Sequence, residues 1–225
     1  FDMDGTLLDS MGCWQHLGEA YLLSRGIAPE RDLDQALAAM SMRESAVWMK
    51  KNYGLQEDPE RIVADILKSV EERYRMQAPL KPGVRKFLDK CRAERIPMCV
   101  VTATPKRYAV PALKRQGVLE LFQFVLDCEE LPGGKHRPDV YDQASTRLGV
   151  PTEFCVVFED AAHAQQTASR AGYYVIGVDD LSEKIPVADR LAFCDRFIYS
   201  FEELSLRDGV LTGGEYGNQG SAETF

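Results

Sequence analysis

Two carboxylates stand two residues apart at the start of the sequence, at Asp2 and Asp4, immediately before Gly5 and Thr6. Alternate residues of a β-strand point to the same side, so a strand over residues 1–4 would bring both carboxylates to one face. Two anions held this close repel each other unless a divalent cation lies between them or one carries a proton. The first arrangement makes a Mg²⁺ site, and the second places a nucleophile beside a general acid. An acidic turn without chemistry is the alternative.

Further polar residues follow apolar segments that are predicted to be strands. Thr102 and Ala103 end one segment before a predicted helix, where a hydroxyl and free backbone amides suit phosphate oxygens. Lys135 lies in a glycine-containing loop before another predicted helix, and Glu159 and Asp160 follow a buried strand with the hard oxygen ligands that Mg²⁺ prefers. Taken singly, the threonine and the lysine are also explained as a strand end and a solvated loop residue. Their recurrence in order along the chain argues against a merely acidic turn.

Charge balance relates these groups to one another. Asp2, Asp4, Glu159 and Asp160 would bring up to four negative charges together, against three positive charges from Mg²⁺ and Lys135. A dianionic phosphate would leave such a site strongly negative. This balance favours a protonated Asp4 when substrate is bound, which is the form that a general acid needs.

Residues 11–80 carry helical patterns and are predicted to form a small helical domain. A capping box begins at Ser41, and Gly26 and Gly54 follow two of the predicted helices. The predicted helices cover residues 10–25, 32–39, 41–53 and 58–75.

From residue 81 helices and strands alternate, and the strands are continuously apolar, which indicates a parallel sheet covered on both faces. Ligands of such sheets bind at the carboxyl ends of the strands. The predicted core comprises residues 1–10 and 81–207, and residues 208–225 are expected to be disordered because they lack a face that could pack. The predicted strands cover 98–103, 122–127, 154–158, 173–178 and 196–199, and the helices cover 83–94, 105–116, 138–148, 161–171 and 201–204.

Composition limits the class of protein. Of 225 residues, 45% are hydrophobic, which is enough for a genuine core, and a net charge of −8 argues against a nucleic-acid partner. No apolar run approaches the roughly 20 residues of a membrane-spanning helix. The six cysteines show no metal-binding spacing, so we expect buried reduced thiols, a cytoplasmic location and no membrane partner. Because strands usually run about five or six residues, we also expect a few apolar residues to precede Phe1 in the natural protein.

The ordered set of motifs resembles the haloacid dehalogenase superfamily of phosphotransferases over about residues 1–204. The helical segment after the first motif looks like the cap of the β-phosphoglucomutase and phosphoglycolate phosphatase branch. The expected fold class is therefore α/β, with a Rossmann-like parallel sheet core and a small all-helical cap inserted after the first strand. The matching motifs are Asp2-x-Asp4-Gly5-Thr6, the apolar strand ending at Thr102, Gly134-Lys135-x-x-Pro138-Asp139 and Phe158-Glu159-Asp160.

The resemblance implies a Mg²⁺-dependent phosphatase that hydrolyses a small phosphomonoester, such as a sugar phosphate. Asp2 would attack phosphorus and form an aspartyl-phosphate, while Asp4 would protonate the leaving alcohol and then activate water. Thr102 and Lys135 would hold phosphoryl oxygens, with Ala103 beside them.

The resemblance also implies the metal ligands and the partner. Mg²⁺ would be bound by Asp2, the backbone carbonyl of Asp4, Asp160 and Glu159, the last directly or through water. The partner would be a small phosphorylated metabolite. The oligomeric state is left open, with a monomer favoured.

The chain departs from the family pattern at two places. Asp160 is followed by Ala161, with Ala164 three positions on, where the family often has Ser and Gly. His136 stands after Lys135 where the family commonly has proline. The lost serine hydroxyl and the added imidazole would change the local interactions of these loops, but they remove no charge that the mechanism requires.

A sugar-phosphate mutase is the main alternative function. Trp14 occupies the approximate position of a cap histidine that β-phosphoglucomutase uses, Val70 lies near a cap lysine position, and His16 falls on a different helical face. Hydrolysis is therefore favoured. A dehalogenase would have no use for Asp4, and a non-catalytic regulatory protein would have no need of the retained charges.

The cap is expected to determine substrate specificity. Arg43 is either a solvated first-turn arginine or a clamp that reaches into the cleft on closure, and we hypothesise the clamp. Trp14 and Trp48 offer flat surfaces for a sugar or another ring.

Overall fold

The computed structural model describes residues 1–37, 40, 42–128 and 133–217, which divide into two compact units. The helical unit is Gly12–Gln77, and the sheet unit comprises Phe1–Met11 and the described residues from Ala78 onward. The sequence analysis placed the corresponding boundaries at residues 11 and 80.

Four α-helices make up the helical unit and bury apolar side chains at helical spacing. Ile62, Ile66 and Val70 recur every fourth residue on the fourth helix, and all three are buried. Residues 38, 39 and 41 lie outside the described residues, and with them the end of the predicted 32–39 helix and the capping serine. The helices are α1 (Leu17–Ser24), α2 (Leu33–Leu37), α3 (Met42–Tyr53) and α4 (Pro59–Gln77).

The predicted helix over residues 10–25 is interrupted. A 3-10 turn spans Met11–Trp14, and α1 starts only at Leu17. Between them His16 has a φ of 54°, which lies in the left-handed region and cannot continue a right-handed helix.

The sheet unit alternates helices and strands in the predicted order as far as residue 178. Beyond it the helix at Val187–Arg190 was not predicted, and the predicted helix over residues 201–204 is a 3-10 turn, Phe201–Glu203. The helices of the sheet unit are α5 (Val84–Ala93), α6 (Lys106–Arg115), α7 (Asp139–Leu148), α8 (Ala162–Arg170) and α9 (Val187–Arg190). Its strands are β1 (Val100–Thr102), β2 (Val125–Asp127), β3 (Val156–Glu159), β4 (Tyr174–Val178), β5 (Arg196–Ile198), β6 (Ser205–Arg207), β7 (Val210–Thr212) and β8 (Glu215–Tyr216).

Parallel pairing organises the sheet. β1 pairs with β2, and β3, β4 and β5 pair in that order, all parallel. Leu126, Val175 and Phe197 from three of these strands are fully buried in one core cluster. This confirms the predicted α/β class with a parallel sheet between helices.

The first two residues lie between β1 and β3. The amino group of Phe1 donates to the Cys99 carbonyl (3.0 Å), and the Val101 amide donates to the Phe1 carbonyl (2.8 Å). On the other side the Asp2 amide donates to the Phe158 carbonyl (2.9 Å). The predicted strand over residues 1–4 is thus reduced to two bridging residues, because the chain turns at Gly5, where φ is 77°.

The expectation of disorder from residue 208 onward is wrong for residues 208–217. β6 and β7 form an antiparallel hairpin across Asp208 and Gly209, and β8 pairs antiparallel with β5. Leu206 and Leu211 point inward from the hairpin and are buried. The missed signal is the Asp-Gly turn between two short alternating segments, which is typical of a hairpin. Residues 218–225 lie outside the described residues.

All six cysteines are free, and four of them are buried. Within the described ranges, none of the helices combines the length and the hydropathy that a membrane span requires.

Replacing Leu211 tests whether the hairpin contributes to the core. Leu211→Ala should lower the free energy of unfolding by about 2 kcal/mol or more, because a buried leucine loses its packing. The partly exposed neighbour Val210 is the matched control, and Val210→Ala should change stability by less than about 0.5 kcal/mol. Urea denaturation of both variants measures the difference. Equal effects would contradict the packed hairpin.

Candidate active site

A buried lysine joins two of the carboxylates. Lys135 lies in a 3-10 turn, Gly134–His136, and its Nζ forms ion pairs with Asp2 Oδ1 and with Glu159 Oε2, the latter at 2.6 Å. All three side chains are buried. Burial alone would lower the pKa of Lys135, but the carboxylates of Asp2 and Glu159 outweigh it and raise that pKa well above its usual value. The ammonium group is therefore permanently charged.

Asp160, the residue after β3, is held on its side chain and on its backbone. Thr6 Oγ1 donates to Asp160 Oδ1 at 3.0 Å. The Asp160 carbonyl accepts from Gln165 Nε2 (3.1 Å) and from Arg190 Nη2 (2.6 Å), and both donors are buried. These bonds satisfy buried polar groups and fix the direction of the carboxylate.

Gly5 makes room for that carboxylate. A Cβ atom at this position would overlap Asp160 Oδ2 and lie 2.7 Å from Asp160 Cγ. The positive φ of 77° independently favours glycine. Both the backbone turn and the close approach of Asp160 therefore require the absence of a side chain.

Asp4 is partly exposed and accepts hydroxyl hydrogen bonds on both oxygens. Ser10 Oγ donates to Oδ1 at 2.6 Å, and Thr104 Oγ1 donates to Oδ2 at 2.8 Å. Thr102 Oγ1 lies 3.5 Å from the same Oδ2. Desolvation first, and then the charge of Asp2, raise the pKa of Asp4 to about 6, although the hydroxyl bonds oppose the rise.

The loop after β1 is anchored at the start of α6. Thr102 Oγ1 accepts the Thr104 amide at 3.0 Å, and Asp127 Oδ2 at the end of β2 accepts the Lys106 amide at 2.8 Å. Ala103 between them is exposed. The loop thus holds Thr102 and Thr104 against Asp4.

The donor set fits a hard divalent cation. Oxygens of Asp2, Glu159 and Asp160 lie within 4.8 Å of one another, and all three residues are buried. Asp2 Oδ2 is buried and has no hydrogen-bond partner among the described residues. Such an atom is costly unless it meets a cation or a proton.

Crowding raises the pKa values of two members of this set. Burial, followed by the charge of Asp2, raises the pKa of Glu159 to about 7 and that of Asp160 to about 9. A divalent cation would reverse this effect by favouring the ionised carboxylates.

Six predicted site residues lie together in the sheet unit, through the ion pairs, hydrogen bonds and oxygen distances given above: Asp2, Asp4, Thr102, Lys135, Glu159 and Asp160. The side chain of Asp4 is bound to hydroxyls, so its predicted metal contact would come from its backbone carbonyl. Arg43 lies in the helical unit, where it is 75% exposed and pairs with Glu60 at 2.6 Å.

Sequence reasoning missed the residues that hold the acids in place. Ser10 and Thr104 stand at the starts of the predicted helices over residues 10–25 and 105–116, and the sequence analysis assigned them no contact with an acid, although hydroxyls near an acid pair are a usable signal. Gln165 and Arg190 follow their carbonyl partners by 5 and 30 residues, and no local pattern marks them.

Comparisons with known families and proteins agree with one another. The family description haloacid dehalogenase-like hydrolase matches residues 1–172. A phosphorylated carbohydrates phosphatase of Thermotoga maritima is 30% identical over 185 residues, covering 76% of this chain and 80% of that protein. Hexitol phosphatase B of Escherichia coli K12 is 26% identical over 216 residues, covering 92% of this chain and 94% of that one.

A solved structure from Thermotoga maritima, provisionally assigned as a β-phosphoglucomutase, has the same fold. Its TM-score is 0.78 at 24% identity, with 90% of this chain and 94% of that chain covered.

Placing a methyl group on Gly5 should displace Asp160. Gly5→Ala should weaken Mg²⁺ binding and reduce kcat by more than about tenfold, because small displacements of catalytic groups are costly. Gly149→Ala is the matched control, since Gly149 has a similar φ of 71° but no atom within 4 Å of the added Cβ. Both variants should lose about 1–2 kcal/mol of stability from backbone strain. Equal activity in the two variants would contradict the conclusion that Asp160 needs the space left by Gly5.

Metal binding should release protons. At pH 7 and without metal, Asp160, with a pKa of about 9, is protonated, and Glu159, with a pKa of about 7, is about half protonated, so Mg²⁺ should displace between about one and two protons per site. The release should vanish as the pH rises above about 9. Calorimetric titration in two buffers of different ionisation enthalpy measures the proton count. Binding at pH 7 without proton release would contradict the crowded-acid description.

Proposed function

Because this chain belongs to the haloacid dehalogenase-like hydrolase family, we propose that it is a Mg²⁺-dependent phosphatase acting on a small phosphomonoester through an aspartyl-phosphate. Its similarity to phosphatases along most of its length makes it a phosphoric monoester hydrolase. The metal, the intermediate and the substrate class are the parts that we propose.

The environment of the Asp2 carboxylate is the main support for the proposal. Lys135 fixes one oxygen of this carboxylate, while the other is buried and lacks a hydrogen-bond partner among the described residues. A carboxylate in this state is oriented and poorly solvated, which favours nucleophilic attack.

Asp2 and Asp4 divide the chemistry between them. A carboxylate oxygen of Asp2 forms a bond to phosphorus as the bond to the substrate oxygen breaks, and protonated Asp4 delivers its proton to that oxygen. Asp4 then takes a proton from the water that attacks the aspartyl-phosphate, which releases inorganic phosphate and restores Asp2. A pKa of about 6 suits both roles, because both protonation states are populated near neutral pH.

The metal would be held by Asp2, the backbone carbonyl of Asp4, Asp160 and Glu159, the last directly or through water. When bound, Mg²⁺ supplies positive charge that offsets the repulsion between a carboxylate nucleophile and phosphate oxygens. The three buried acids Asp2, Glu159 and Asp160 share the single positive charge of Lys135, so the site has negative charge left to bind a cation.

Thr102 and Lys135 would hold the phosphoryl oxygens, with the exposed Ala103 at the entrance of their loop. The Thr102 hydroxyl lies 3.5 Å from Asp4, a long distance for its only donated bond, so its proton is free to turn toward a phosphate. Lys135 is charged over the whole working range.

A sugar or polyol phosphate is the substrate class that we favour. The relatives named above act, by their names, on phosphorylated carbohydrates and on hexitol phosphate. Arg43 remains the proposed clamp, and it would have to exchange Glu60 for the substrate.

Hydrolysis is favoured over mutase activity by three residues of the helical unit. His16 pairs with Asp34 and Glu19, and Val70 is buried. The cap-histidine position itself is occupied by Trp14, His16 is engaged by two acids, and Val70 carries no amine at the cap-lysine position.

Phosphate release from a panel of sugar, polyol and nucleoside phosphates tests the function. Wild-type protein should be active only with Mg²⁺, and Asp2→Asn should lower kcat by about 10⁴-fold or more, because an amide cannot form the phospho-enzyme. Asp89→Asn makes the same chemical change on α5 and should have no effect. Turnover by Asp2→Asn at the wild-type rate would refute the intermediate.

The acid role of Asp4 predicts a dependence on the leaving group. Asp4→Asn should slow alkyl phosphates by about 10²–10⁴-fold, but p-nitrophenyl phosphate by less than about tenfold in the first step, since p-nitrophenol barely needs a proton. Burst kinetics isolate that step. An equal loss with all substrates would contradict the role.

A further inference from the structure

Two histidine rings stack beside the lysine turn. The ring centroids of His136 and His163 lie 4.4 Å apart, with 25° between the planes. His136 directly follows Lys135 in the turn Gly134–His136, and His163 lies in the first turn of α8. The stack therefore joins the turn that carries the lysine to the helix that follows Asp160.

The turn has little regular structure of its own. Gly133 and Gly134 both have positive φ values, 91° and 49°, and glycine loses the most backbone freedom when it is ordered. The hydrogen bonds within the turn are local, from the His136 amide to Gly133 O (3.1 Å) and from the Arg137 amide to Gly134 O (3.3 Å). Such a segment keeps Lys135 in place only if it is fastened to something rigid.

α8 is a rigid support for this purpose. Gln165 on α8 donates to the Glu159 carbonyl (2.7 Å) and to the Asp160 carbonyl (3.1 Å). At its start the Ala162 amide donates to Glu183 Oε2 at 2.9 Å. The helix that carries His163 is thus bonded to the backbone of Glu159, whose carboxylate pairs with Lys135, and to the backbone of the next residue, Asp160.

Electrostatics favour an uncharged His163 ring in the stack. Desolvation, then His136 and Lys135, lower the pKa of His163, against the opposing charges of Glu183 and Asp2. A neutral His163 ring stacks on its partner without charge repulsion.

We propose that the His136–His163 stack positions Lys135 for catalysis by fastening its turn to α8. Both histidines are positioning residues, and the contact that matters is between two flat rings. The inference rests on the proposed phosphatase function, because the orientation of Asp2 by Lys135 matters for catalysis only if Asp2 is the nucleophile. Since Lys135 pairs with Asp2 without substrate, loosening the turn should slow the chemical step more than it weakens substrate binding.

The experiment compares wild type, His163→Ala, His163→Phe and the control Arg170→Ala, which removes an exposed side chain from the last turn of the same helix. Two readouts are needed: kcat and KM for phosphate release with Mg²⁺, and amide hydrogen exchange of a peptide covering residues 133–137. His163→Ala should lower kcat by about tenfold, leave KM within about twofold and speed the exchange. His163→Phe should restore both readouts, and Arg170→Ala should change neither.

Three results would overturn the inference: wild-type kcat in His163→Ala, a fall in kcat without faster exchange, or no rescue by phenylalanine. The second would mean that the imidazole acts by a route other than holding the turn. A wild-type protein that releases no phosphate from any substrate would refute the proposed function instead, so the two failures are distinguishable.

Discussion

Mutual repulsion among carboxylates that share one buried lysine is the constraint around which the sheet unit is arranged. Lys135 neutralises part of the charge of Asp2 and Glu159, but a third buried acid, Asp160, remains beside them. Buried charges of one sign are stable only when each is bonded and compensated. The structure meets this need partly with hydroxyls and amides, and the remaining imbalance appears as raised pKa values, which makes the site receptive to a cation.

The parallel sheet explains why these groups meet although they are far apart in sequence. Asp2 and Glu159 lie on neighbouring segments, because the Asp2 amide bonds to the residue that precedes Glu159. The loop after β1 approaches from the other side and brings its hydroxyls to Asp4. Side chains at the carboxyl ends of adjacent strands need no special folding device to converge.

The parts of the fold and of the site that could be predicted are those marked by neighbouring residues in the sequence. The five parallel strands and the helices α5–α8 were predicted correctly in order, since continuous apolar segments and glycine stops are local features. The acids and Lys135 were predicted as site residues because they occur in short polar motifs next to predicted strands and helices. The partner of Asp160 in α9, Arg190, was not found, because a carbonyl bond across 30 residues leaves no local pattern. The hairpin at residues 205–212 was missed although its Asp208-Gly209 turn is a local signal. The break at His16 was missed because a left-handed residue that is not glycine has no reliable signal in the local sequence.

The bridging position of Phe1 and Asp2 has a consequence for how the molecule opens. The backbone that presents the candidate nucleophile also joins β1 to β3, and the Phe1 ring stacks on Phe158 at 4.5 Å. Local unfolding of this segment would therefore separate the two halves of the sheet, so its opening free energy should approach that of global unfolding. The carboxylate of this candidate nucleophile is consequently tied to a segment that should open only with the whole sheet, while the lysine that pairs with it is carried on a turn.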